Sequence, residues 1–203
     1  MTDLSELFGP IDIYLFDQIL RGRIRPGMTV FDAGCGGGRN LVFLLREGYA
    51  VCGVDPNPEA IRSVRGLAAQ LAPELPATNF RAEAVESSSF AERSFDVVLS
   101  SAVLHFARGE AQFRAMLQGS WRHLKPGGLF FCRLASSIGM ADRMAPLGDR
   151  RFRLPDGSER FLVDEPYLLA LGRELGGTLV DPLKTTVVQD QRCMTTWVVS
   201  RLG

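Results

Sequence analysis

Val30-Phe31-Asp32-Ala33-Gly34-Cys35-Gly36-Gly37-Gly38-Arg39-Asn40 is the stretch on which the fold turns. An apolar burst of strand type stops at Asp32, and glycines then alternate at Gly34, Gly36 and Gly38. GRNLVFLLRE (38–47) follows, with Leu41, Leu44 and Leu45 at helical spacing and Gly48 placed to cap. Strand, glycine turn and helix together make a cradle. Glycine lets a backbone turn tightly and approach a ligand closely. A helix N-terminus adds unpaired N–H groups and a positive dipole end.

Outward from this stretch, strands and helices alternate. AVCGVD (50–55) reads as a strand, and PNPEAIRSVRGLAAQLA (56–72) as a helix with Pro58 and Glu59 in its first turn. A short strand is expected around 78–82, another at FDVVLSS (95–101), a helix at 110–124, a turn at LKPGG (124–128) and a strand at LFFCRLAS (129–136). Upstream, residues 4–21 form two short helices broken at Gly9–Pro10, and 22–28 form a turn. Downstream, 136–163 reads as a loop with weak helical signal near 138–145 and a turn at 156–158. A helix at 164–175 precedes two strands, TLVDPLKTTVVQD and CMTTWVVSRL, whose short connection makes them antiparallel at a sheet edge. Unbroken apolar strands alternating with helices predict an α/β fold. The expected form is a Rossmann-like, doubly wound, seven-stranded, mostly parallel sheet with an antiparallel final strand.

Composition narrows the function classes. The chain has 203 residues, 46% hydrophobic and 23% charged, which fits one globular domain over 1–203. Basic and acidic residues balance at 23 each, so no long-range field draws nucleic acid, and RRFR (150–153) is too short to bind it. Cys35, Cys52, Cys132 and Cys193 are scattered and only two histidines are present, so no metal site is expected. The acidic N-terminus has no signal-peptide pattern, and no apolar run is long enough to span a membrane, so a cytoplasmic protein is expected.

The acid at the end of the second strand specifies the ligand class. Asp55 stands 21 residues after Gly34 and would accept both hydroxyls of a ribose. The glycine spacing is G-x-G-x-G rather than the dinucleotide G-x-G-x-x-G, and Asp32 before the loop would repel a pyrophosphate. That pattern disfavours a nucleotide-binding oxidoreductase, which needs a pyrophosphate cradle, and suits a nucleoside carrying ammonium and sulfonium charge.

DAGCGGGRN (32–40) resembles the first motif of the class I S-adenosylmethionine-dependent methyltransferases. The resemblance covers about residues 28–135. It implies Asp32, Gly34, Gly36 and Gly38 near the methionine part, Asp55 on the ribose, and Pro56 and Asn57 along the adenine edge. RAEAVE (81–86) resembles the third segment, with Glu83 where Asp is commoner and Ala84 offering a backbone donor to adenine. FDVVLSSAVLHFA (95–107) resembles the fourth motif, which implies Ser100 and Ser101 at the ligand's amino end; LKPGGLFF resembles the element before strand five. GRNL (38–41) is similar to small methyltransferases of the tellurite-resistance and thiopurine-methylating kind.

The implied reaction is direct in-line transfer of the methyl group to a small molecule, leaving S-adenosylhomocysteine. Residues 1–27 would form a helical lid, from which Tyr14 reaches the methionine carboxylate or simply packs. Arg39 would pair with that carboxylate or with a surface acid. His105, just past strand four, is a candidate base or substrate contact, or a packing residue. Residues 136–163 would be a substrate insert, where Arg133, Met140 and Arg143 are the candidate acceptor contacts and an arginine fork would hold an anion. Expected partners are a small-molecule acceptor and no nucleic acid or membrane, with the chain a monomer or homodimer. Methylation of a protein or RNA, or cofactor binding without catalysis, are the alternatives.

Overall fold

A computed structural model describes residues 3–203. Two short helices come first, α1 (Leu4–Phe8) and α2 (Ile13–Leu20), each capped by an aspartate that accepts a backbone N–H of its first turn. The chain then runs β1 (Thr29–Ala33), α3 (Val42–Arg46), β2 (Ala50–Val54), α4 (Pro58–Leu71), β3 (Phe80–Arg81), β4 (Phe95–Ser101), α5 (Glu110–Trp121) and β5 (Leu124–Ala135). Three short strands follow, β6 (Ala145–Gly148), β7 (Arg151–Arg153) and β8 (Glu159–Phe161). The chain ends with α6 (Glu165–Glu174), β9 (Gly177–Leu179), β10 (Lys184–Val188) and β11 (Arg192–Arg201).

The main sheet has the order β10-β11-β5-β4-β1-β2-β3, with β9 also paired to β11. β3, β2, β1, β4 and β5 are parallel, while β11 runs antiparallel to β5. This is the Rossmann-like arrangement expected from the alternation of strands and helices. Pairs of adjacent residues explain why both faces are covered. Phe31, Val98, Phe130 and Trp197 enter a cluster with Phe113, Leu117 and Leu168 on α5 and α6. Their neighbours Val30, Val97, Phe131 and Val198 enter a second cluster with Leu44, Ile61 and Val64 on α3 and α4. Side chains alternate across a strand, so a run apolar at every position needs helices on both sides.

Three local readings are corrected. Residues 136–163 are not mainly a loop, because β6, β7 and β8 form a separate antiparallel sheet and only Ala141–Arg143 make a helical turn. These strands are three or four residues long, too short for alternation to show in sequence. LKPGG is part of β5, where the ladder with β4 shifts register between the Phe95–Leu124 and Val97–Leu129 pairs. The stretch 178–190 is two strands, interrupted where Asp181–Pro182 removes a ladder donor. His123 is fully buried, its Nδ1 3.0 Å from the Ala91 carbonyl oxygen. The β10–β11 hairpin lies at the sheet edge as expected, turning through Gln189 and Asp190 at positive φ. No helix among the described residues is long and apolar enough to cross a membrane.

Candidate active site

The chain turns sharply as it leaves β1. Gly34 and Cys35 both donate their N–H to the Val54 carbonyl at the end of β2, at 2.9 Å each. Gly34 has φ +95, and a Cβ there would lie 2.4 Å from Val103, so both conformation and packing demand glycine. Gly38 is equally constrained by Val64 and Leu67. Gly36 differs, since a Cβ there would meet nothing within 4 Å. It faces open space, a cavity of about 950 Å³ over the C-terminal ends of the parallel strands. The helix expected from residue 38 begins only at Val42 and is five residues long. The cradle is therefore a backbone turn, and a helix dipole contributes little to it.

Asp55 is fixed by that turn. Its Oδ2 accepts the Gly36 N–H at 3.0 Å and its Oδ1 accepts the Asn57 N–H at 2.9 Å. Each carboxylate oxygen retains acceptor capacity toward the cavity. Pro56 and Ala84 line the same cavity, as do Gly34, Gly36, Gly38, Arg39 and Ser101. Arg39 bridges its mouth, donating to the Pro10 carbonyl at 3.3 Å and to Ser101 Oγ at 3.1 Å. Asp32 lies buried behind the loop; burial lifts its carboxyl to about 7, opposed by the charge of Arg39. Burial, with Asp32 and Asp55 nearby, raises the Cys35 thiol far above its ordinary range, so it remains un-ionised.

Other candidates stand behind the walls or elsewhere. Asn57 caps α4 and Ser100 is fully buried. The Glu83 carboxylate accepts the Ser89 N–H and hydroxyl at 2.7 and 2.6 Å, which holds the turn carrying Ala84. Tyr14 is hydrogen-bonded to Thr186 Oγ1 at 2.7 Å and does not border the cavity. Met140 is buried in a small apolar cluster, and exposed Arg143 pairs with Asp190. Neither Met140 nor Arg143 lines either cavity of the site.

A family profile described as a methyltransferase domain matches residues 31–132, from β1 through most of β5. The chain belongs to this methyltransferase-domain family. An uncharacterized methyltransferase of Synechocystis is 35% identical over 107 residues, covering 53% of this chain and 47% of its own. A ubiquinone biosynthesis O-methyltransferase of a Methylobacterium species is 31% identical over 159 residues, covering 76% and 61%. The chain thus spans between about half and two thirds of these curated relatives. A Burkholderia thailandensis 1,6-didemethyltoxoflavin-N1-methyltransferase was crystallised with 1,6-didemethyltoxoflavin and S-adenosylhomocysteine bound. Its fold matches with a TM-score of 0.72 at 21% identity, over 99% of this chain and 82% of that one.

The methyltransferase domain has cavity residues that the sequence motifs leave out. Glu86 lines the large cavity where Glu83 was expected, three residues later in RAEAVE, and no periodicity separates the two acids. Val103, Phe106, Arg108, Gln112 and Met116 come from the β4–α5 connection and α5. Phe106 is the one of these with a signal, an aromatic residue five positions past the end of β4. A second cavity of about 330 Å³ shares Ala102 and Phe106 with the first and is lined by His105 and Arg133. His105 Nδ1 accepts the Ala135 N–H at 3.2 Å, so the neutral ring carries its proton on Nε2. Burial, reinforced by Arg160, lowers His105 to about 4.

Proposed function

We propose that this methyltransferase domain uses S-adenosylmethionine to methylate a small molecule by direct displacement, with S-adenosylhomocysteine as the product. The observation that carries this is the Asp55 carboxylate, clamped by the Gly36 and Asn57 N–H groups at the edge of the large cavity. A fixed carboxylate with free lone pairs suits a vicinal diol. The same clamp argues against a diphosphate, because the Gly36 N–H is already committed to a carboxylate and Asp55 adds negative charge nearby. The open side of Gly36 leaves room for the cofactor against the backbone.

In this reading Asp55 holds the ribose, with Pro56 and Ala84 along the base. Gly34, Gly36 and Gly38 shape the seat of the aminoacyl part, with Asp32 buried behind it. Arg39 and Ser101 meet its polar end, with Ser100 supporting Ser101. Asn57 and Glu83 act indirectly, one by fixing Asp55 and the other by fixing the turn of Ala84. When bound, the cofactor would supply a methyl carbon already activated by a sulfonium leaving group. The chain's contribution is alignment and exclusion of water. His105 does not serve as the base, since its Nδ1 lone pair is held by the Ala135 N–H and protonation would place a cation beside Arg160. The N-terminal helices act as a lid through Pro10, which lines the cavity and is held by Arg39. Residues 1 and 2 of that segment lie outside the described residues.

A small acceptor is supported by the names of the relatives, a ubiquinone-pathway O-methyltransferase and a toxoflavin-precursor N-methyltransferase. The narrower likeness to tellurite-resistance and thiopurine enzymes rests on GRNL (38–41) alone. Calorimetric titration with S-adenosylhomocysteine tests the reading. Asp55→Ala, with an unchanged circular dichroism spectrum, should bind about 10- to 100-fold more weakly, as expected for lost charge-assisted hydrogen bonds of ~1.5–3 kcal/mol. No affinity in the wild type for either form of the cofactor would end the proposal.

A further inference from the structure

The cavity of about 330 Å³ behind Phe106 is near the lower limit of small-molecule sites, which run from ~300 to 1,000 Å³. Five arginines lie in residues 136–163. Arg143, Arg150, Arg151 and Arg153 each pair with a carboxylate. Arg160 has no carboxylate within ion-pair distance among the described residues, and it is the one of the five that lines this cavity. Its guanidinium sits 4.9 Å from the Phe106 ring centroid and donates to the Glu159 carbonyl at 2.7 Å. Arg192, also unpaired among the described residues, lines the same cavity.

A third guanidinium, Arg133, donates to the buried Asp12 carboxylate at 2.9 Å, while its Nε–H is buried without a partner. Asp156 is the cavity's one lining carboxylate, and its Oδ1 already accepts the Ser158 N–H and hydroxyl. The ring of His105 is neutral and offers only an N–H donor. With Asp12 balancing Arg133 and Asp156 balancing one further arginine, one positive charge is uncompensated. Ala135, Leu154, Val188 and Met194 give the wall its apolar part.

We propose that this second cavity holds the methyl acceptor as a small monoanion with an apolar body, of the size of a single-ring aromatic carboxylate. Arg160 and Arg192 grip the anionic group, and the body reaches toward the Ala102–Phe106 wall shared with the large cavity. That the guest is a methyl acceptor rests on the function proposed above; recognition of the anion does not. Arg160 and Arg192 take the place of Arg143, which the sequence favoured and the structure puts at the surface.

Calorimetric titration of benzoate, phenylacetate and cinnamate, each against its neutral amide, tests the proposal with and without saturating S-adenosylhomocysteine. At least one acid should bind tenfold or more tightly than its amide. Arg160→Gln and Arg192→Gln should each erase most of that preference while S-adenosylhomocysteine affinity stays within twofold. Arg143→Gln, on the same segment but away from the cavity, should leave the preference intact. Acids that bind no better than their amides, or a preference that survives the Arg160→Gln/Arg192→Gln double substitution, overturn it. Failure of S-adenosylhomocysteine to bind would instead sink the cofactor reading, and the acid titrations on the free protein would still decide the anion site.

Discussion

Asp32 shows how one residue serves a site at a cost to stability. It ends the apolar part of β1 and is almost wholly buried, so its carboxyl titrates near 7 rather than at the ordinary 3.8. Between those values the native state keeps a proton that the unfolded chain has released, so raising the pH across that window destabilises the fold. Asp32→Asn removes the titration. Its stability relative to wild type should rise from pH 4 to pH 8 by up to about 4 kcal/mol. Urea unfolding at both pH values measures this, and a pH-independent difference would count against it. His105 acts in the opposite sense, because its value of about 4 makes the native state lose stability as pH falls below 6.5. Comparing variant with wild type cancels that contribution. At this scale Asp55 and the glycines were legible in the sequence because their spacing is local. The choice between Glu83 and Glu86, or between Arg143 and Arg160, was not, because it depends on which way a turn or a short strand points.

Among the elements, α1 and α2 have five and eight residues, too short to persist alone in water. They are held from outside. Phe8 packs on Phe16 and stacks on Phe43, with ring centroids 4.6 and 4.9 Å apart. Asp12 does more: its N–H donates to Asn40, one carboxylate oxygen caps α2, and the other pairs with Arg133. The Asp12 side chain is fully buried, so truncation leaves Arg133 without its counter-charge. Asp12→Ala should cost about 3–5 kcal/mol, the range for breaking a buried ion pair. Hydrogen exchange should quicken across residues 4–20 before it does in the sheet. A loss below about 1 kcal/mol, the value of the cap alone, would show that the ion pair contributes nothing. Periodicity revealed these helices, but the tie from Asp12 to Asn40 and Arg133 joins residues 28 and 121 positions apart and leaves no mark on local pattern.

For the whole molecule, the larger cavity lies where β1, β2 and β4 end, so a ligand there touches loops from across the sheet. Cofactor binding should therefore stabilise the fold globally. S-adenosylhomocysteine at a hundredfold excess over its Kd should add about 2.7 kcal/mol. For a chain of this length that corresponds to roughly 5–10 °C in Tm. Scanning calorimetry should show the shift in wild type and lose about half of it or more in Asp55→Ala at the same concentration. An equal shift with a nicotinamide dinucleotide would contradict the clamp argument.

From sequence alone came the element order from α1 to β5, the doubly wound sheet, the glycine turn and the acid beside it. These follow from hydrophobic period, from glycine's conformational range and from spacing along one chain, all short-range quantities. Tertiary structure decided that 136–163 folds as its own sheet, that of Gly34, Gly36 and Gly38 only Gly36 has open space where a Cβ would stand, and that two cavities share one wall. It also decided which arginines are spent on surface carboxylates and which are left to face a guest. Such outcomes depend on the distance between side chains far apart in the chain, and that distance exists only once the sheet has brought the strand ends together.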